Sequence, residues 1–168
     1  VVASPVQDAL PRRIPRRRAA REAEVIPVNQ NHFGHRDGNC FSACIASLLE
    51  LPLEAVPTFY IYGEPDDIWT LRLDRFLEPF GLYGLHFIVD PPVYEPVREG
   101  LYRLHSSKTP GRPLTVPPGV LHIRAGMSPR GHSHAVLARG HEVVHDPSPL
   151  KTGLLSVEGF SLLLPRFE

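Results

Sequence analysis

The chain changes its hydrophobic period near its midpoint, and that change restricts the fold more than any other feature. Before Gly81, apolar residues recur at helical spacing; after it they fall into short runs separated by turn residues. In Cys40-Phe-Ser-Ala-Cys-Ile-Ala-Ser-Leu-Leu-Glu50, the residues Phe41, Ile45, Leu48 and Leu49 form one stripe, which predicts a helix. Pro52 ends it, because proline disfavours a helical residue before it. A second helix is expected from about Asp67 to Phe80, with Trp69, Leu73, Phe76, Leu77 and Phe80 as core and Gly81 as its stop. Strands are expected at Gly84–Val89, Val120–Arg124, His134–Ala138, Glu142–His145 and Phe160–Leu164, with a tight turn at Arg139-Gly140-His141. Helices first and an antiparallel sheet after them is an α+β pattern.

Two stretches stand outside that pattern. Residues 1–24 read as a flexible, basic, Pro/Arg-rich arm with no apolar period, leaving 25–168 as one domain. Residues 90–118 read as a long proline-rich connection, of the length that surface flaps near sites have. Formal charge balances, with 18 basic and 18 acidic side chains, so no domain-wide nucleic-acid footprint is expected. No apolar run approaches the roughly 18–20 residues that span a bilayer, and no signal-peptide core is present. A protein without a membrane segment is expected, cytoplasmic or delivered as an effector. The only methionine is Met127, which suggests a trimmed chain or a domain from a larger parent with an upstream part.

A thiol nucleophile needs a site that favours the thiolate, a base within reach, and a group that fixes the base. Cys40 opens the first helix directly after Gly38-Asn39, where the helix dipole and free N–H groups favour negative charge. Those N–H groups can also hold an oxyanion. Cys44, one turn on, reads as a small buried residue. His134 opens one strand of the hairpin and Asp146 ends the next. A register centred on residue 140 sets the two directly opposite, so an imidazole–carboxylate contact is expected. His132 is the alternative base, without a paired carboxylate. His145 would point to the opposite face from Asp146, and His32, His35, His86, His105, His122 and His141 read as surface or loop residues.

Gly38-Asn39-Cys40-Phe-Ser-Ala-Cys44 through Pro57 resembles the nucleophile helix of papain-like cysteine peptidases, closest to bacterial and phage proteins related to the bacteriocin-leader peptidases. Ser133-His134-Ala135-Val136 and Val144-His145-Asp146-Pro147 are similar to the histidine strand and the Asp-Pro strand end of that family. The resemblance covers roughly residues 25–165. It implies a nucleophile helix packed on a C-terminal antiparallel sheet, a Cys40–His134–Asp146 triad, and no cofactor or metal. Its upstream glutamine, an oxyanion donor, corresponds to Gln30, with Asn39 as a second candidate. The glycine that commonly follows the cysteine is replaced by Phe41, which is expected to narrow the space beside the thiol.

The function implied is hydrolysis of an amide or peptide bond through an acyl-thioester, with a protein or peptide as substrate. The same intermediate would serve a glutamine deamidase or acyltransferase acting as a bacterial effector or toxin domain. A zinc site from Cys40, Cys44, His132 and His134 is a different class, disfavoured by spacing unlike that of common zinc modules. A non-enzymatic papain-like module is the third.

Overall fold

The computed structural model describes residues 25–34, 36–65, 68–88, 95–97, 101–103 and 116–167. The arm expected over residues 1–24 and most of the proline-rich connection lie outside the described residues. The architecture is α+β, as the change of period predicts. Two helices, α1 (Cys40–Leu49) and α2 (Ile68–Leu77), precede β1 (Leu82–Ile88), β2 (Glu95–Val97), β3 (Leu101–Arg103), β4 (Leu121–Met127), β5 (Ser133–Arg139), β6 (Glu142–His145) and β7 (Gly159–Pro165). Five strands form one sheet in the order β1-β7-β4-β5-β6, every pair antiparallel. The connection contains an antiparallel pair not expected from its sequence, β2 with β3.

Local chemistry sets the helix ends. Glu50 closes α1 in the left-handed region at φ 56°, and the next N–H, of Leu51, donates to Ala46 O at 2.9 Å. Leu51 is buried against the core and Pro52 follows, so the chain cannot continue as helix. The second helix stops three residues earlier than its apolar period suggests. Pro79 lies in a 3₁₀ turn over Glu78–Phe80, and Gly81 at φ 66° ends that turn. The apolar period continues into the turn because Phe80 still packs on the core.

The core lies between the helices and one face of the sheet. Cys44, Ile45, Leu73, Leu77, Ile123 and Leu137 are fully buried there. Burying each of the larger aliphatic side chains stabilises by about 1.5–3 kcal/mol. The first helix rests on β5 and the second on β1. Phe41, next to the thiol in sequence, packs into an aromatic group. It meets Phe59 and Trp69 edge-on, with centroids at 6.0 and 5.4 Å, and so fastens the start of α1 to α2. Ser47 adds a polar tie: its hydroxyl donates to Ala43 O and accepts from the Val28 N–H at 2.9 Å, docking the entry segment on α1. Among the described residues, no helix is long and apolar enough to cross a membrane.

Candidate active site

The hairpin of β5 and β6 brings His134 and Asp146 together, though not by the register expected. The turn is two residues, Gly140-His141, with Gly140 at φ 58°, so Arg139 pairs with Glu142 and Ala138 with Val143. A β-bulge follows, and Leu137 pairs with His145, leaving Val144 as the extra residue. His134 and Asp146 are therefore not opposed partners in the ladder. Asp146 lies just past the end of β6, and its Oδ1 accepts from His134 Nε2 at 2.8 Å. The turn shifts the register from its expected centre and the bulge shifts it again, so that the carboxylate reaches the ring from beyond the strand end.

Both groups are buried, His134 at 2% and Asp146 at 7% exposure. Asp146 accepts from three donors and gives none: Oδ1 also takes the Ser148 N–H at 2.8 Å, and Oδ2 takes the Gly153 N–H at 2.9 Å. Burial pushes the carboxyl pKa up, but the bonds from His134, Gly153 and Ser148 outweigh it and hold the group below its usual range. A carboxylate only accepts, so His134 carries its proton on Nε2 and Nδ1 is left as the basic nitrogen. Burial lowers the ring's pKa despite the pull of Asp146, and the charge of Arg130 lowers it further.

Cys40 is the first residue of α1 and partly buried. Burial raises its pKa; the N–H groups of Ala135, Phe41 and Cys40 itself, and the charge of Arg130, oppose that rise. The sulfur thus lies against the residue that follows His134. Thiol and ring share no hydrogen bond among the described contacts. Burial disfavours the charged form of both the thiol and the imidazole. Cys44 is fully buried and its pKa is raised well above the usual thiol value by burial, with Cys40 and Asp146 adding to the rise. Such a thiol is inert.

The two candidate oxyanion donors differ. Gln30 is buried beside the same corner: its backbone N–H donates to Pro147 O at 3.0 Å, and its Nε2 donates to His32 O at 3.0 Å. Asn39 has turned its amide into the loop. Its Oδ1 takes the N–H groups of Asn31 and His32, and its Nδ2 donates to Asn31 Oδ1 at 2.8 Å. It makes no side-chain cap on α1, whose first two N–H groups, of Cys40 and Phe41, face the sulfur instead.

The remaining histidines are more structured than their sequence suggests. The ring of His132, the alternative base, bonds the Arg130 carbonyl in its own turn at 3.3 Å. His145 donates from Nε2 to Val28 O at 2.8 Å, tying the entry segment to β6. His86, expected at the surface, bonds Ser161 Oγ and stacks edge-on with Trp69. His122, also expected there, is fully buried on β4. Its Nδ1 donates to Val120 O at 3.0 Å and its Nε2 accepts from Arg124 at 3.2 Å. Arg124 then reaches the carbonyls of His141 and Gly140 and so fixes the hairpin turn. Ser148 and Gly153 escaped the sequence reading because they act through backbone N–H groups, which leave no mark on residue type. No group of three His, Cys, Asp or Glu side chains that could hold a metal ion occurs among the described residues. Comparison with protein-family models, with curated proteins and with solved structures found no match.

Proposed function

We propose that the protein is a papain-like thiol hydrolase that cleaves an amide or peptide bond through an acyl-thioester. The observation that carries this reading is the buried His134–Asp146 pair at 2.8 Å, next in sequence to Ala135, whose N–H lies on the Cys40 sulfur. As the sulfur attacks the carbonyl carbon, its proton passes to His134 Nδ1, and the carbonyl π pair moves onto oxygen. The N–H groups of Cys40 and Phe41 at the start of α1, which face the sulfur, are the donors available to that oxyanion, with the second amide hydrogen of Gln30 as a further candidate. The oxyanion collapses, the C–N bond breaks, and the imidazolium gives its proton to the leaving amine. Water then attacks the thioester with His134 again as base, releasing the acid and restoring the thiol. Asp146 keeps the ring in the tautomer this requires and stabilises the imidazolium. The same intermediate passed to an amine would make the protein a transferase; attack on a side-chain amide would make it a deamidase.

The test is acylation by p-nitrophenyl acetate. The expected result is a burst of nitrophenolate with the acetyl group mapped to Cys40, absent in Cys40→Ala, retained in Cys44→Ala and strongly slowed in His134→Ala. Acylation elsewhere, or at Cys40 with a rate indifferent to His134→Ala, would overturn the proposal.

A further inference from the structure

Arg130 stands in the turn between β4 and β5, four residues before His134, and that turn is tightly built. The Ser128 N–H and hydroxyl both donate to His132 O, at 3.0 and 2.9 Å, and the Gly131 N–H donates to Ser128 O at 3.0 Å. The guanidinium is aimed by one bond, from Nη1 to Ser148 Oγ at 2.7 Å. Ser148 is itself fully buried, and its N–H holds Asp146 Oδ1, so the arginine is fastened to the same corner as the base. The other two nitrogens, Nε and Nη2, are shielded from solvent and have no hydrogen-bond partner. Among the described ion pairs none involves Arg130.

A shielded guanidinium edge without an acceptor is costly to maintain. A role as a simple counter-ion to the thiolate does not account for it. Its charge acts on both Cys40 and His134, favouring the thiolate but opposing the imidazolium that must form with it. The two effects work against each other until an anion arrives. A carboxylate that displaced the groups shielding that edge would accept from Nε and Nη2 in the side-by-side geometry that arginine favours, and would cancel the field that weakens the base.

We propose that Arg130 is the specificity-determining residue of this site, and that it holds a carboxylate of the substrate beside the carbonyl that Cys40 attacks. The proposal rests on the thiol-hydrolase reading and names its substrate class: an acidic peptide, whose carboxylate is a side chain or a chain terminus.

Alkylation of Cys40 by two reagents of the same reaction type, anionic iodoacetate and neutral iodoacetamide, tests it in the full chain. In each the sulfur forms a bond to carbon and iodide leaves; only the carboxylate distinguishes them. The rate ratio of iodoacetate to iodoacetamide should fall about tenfold or more in Arg130→Gln, the loss expected for one charge-assisted contact. Arg130→Lys should give an intermediate ratio, since it keeps the charge but not the fork. The ratio compares two reagents on one sample, and continued protection of Cys44 shows that each variant is folded. Two protectants against iodoacetamide then assign the source: acetyl-glutamate amide for a side chain, acetyl-alanine for a terminus. An unchanged ratio in Arg130→Gln, or protection by neither compound, overturns the proposal. Failure of the thiol-hydrolase reading shows separately, as absence of the Cys40 acetyl-enzyme.

Discussion

His122 on β4 and His134 on β5 lie in neighbouring strands of one sheet, both buried and both with pKa values lowered by burial, yet their partners carry opposite charge. His134 donates to a carboxylate; His122 accepts from a guanidinium. Protonating His134 places a cation beside an anion. Protonating His122 would place two cations together and break the Arg124 bond. Burial first, and Arg124 after it, push the His122 pKa down to about 4 against the pull of its bond to Val120. The ring is a fixed acceptor that aims Arg124 at the turn carbonyls, while His134 is a group that can take and return a proton. Burial alone therefore does not decide what a buried histidine can do. The sign of its partner does.

The largest expected effect separates the two rings by activity. His134→Ala should slow formation of the Cys40 acetyl-enzyme by about 10²–10⁴-fold, the usual contribution of a positioned general base. His122→Asn keeps a donor where Nδ1 lies, and should leave the rate per folded molecule within severalfold while lowering the melting temperature. A comparable rate loss in both variants would break the comparison.

A smaller effect tests why an aspartate, and not an asparagine, holds His134. All three partners of Asp146 donate to it. In Asp146→Asn one amide N–H₂ must face a donor, most simply that of Gly153, so stability should fall by about 1–3 kcal/mol. Measurable acylation should persist, because the remaining oxygen still serves His134, whereas Asp146→Ala should lose more of both. Unchanged denaturant midpoints for the asparagine variant would show that the three-donor cradle contributes nothing.

The smallest effect concerns acid. The folded pKa values of His86, His122, His134 and His145 all lie below the unfolded value near 6.5, so the unfolded chain binds protons first as pH falls. Their stabilisation is complete above that pH and is lost as pH falls through the folded values, towards about 4 for His122. The melting temperature should drop by several degrees between pH 7 and pH 4.5. His122→Asn should flatten that slope more than His134→Ala does; the reverse order would mean that burial, with Arg124 beside it, does not hold His122 neutral.

The two rings also differ in how far their sequence revealed them. The α+β division, the span of α1 and the meeting of His134 with Asp146 were legible, because each depends on period or on separation along a hairpin. The register was not, since neither the bulge at Val144 nor the tie between His145 and Val28 beside it has a sequence signature. His122 and Arg124 were invisible for a related reason. Their meaning comes from β5 and the turn at Gly140, which only the strand order brings alongside. Gly126 is another such case: a Cβ there would come within 2.0 Å of Ser156 O, a clash that exists only once the chain returns along β4.

The bulge has a consequence for how this hairpin can change in length. Deleting Val144 would give β6 an uninterrupted ladder with β5, an improvement by the standards of an isolated hairpin. His145 would still pair with Leu137, because the bulge is what absorbs the extra residue. The bond of Asp146 to His134 and that of His145 to Val28 would therefore be kept. Substitution at the exposed Val144 side chain and removal of the residue should both leave that pair in place. Relatives of this chain would therefore vary at this position in residue type and in length alike, with gaps that leave the flanking pair intact.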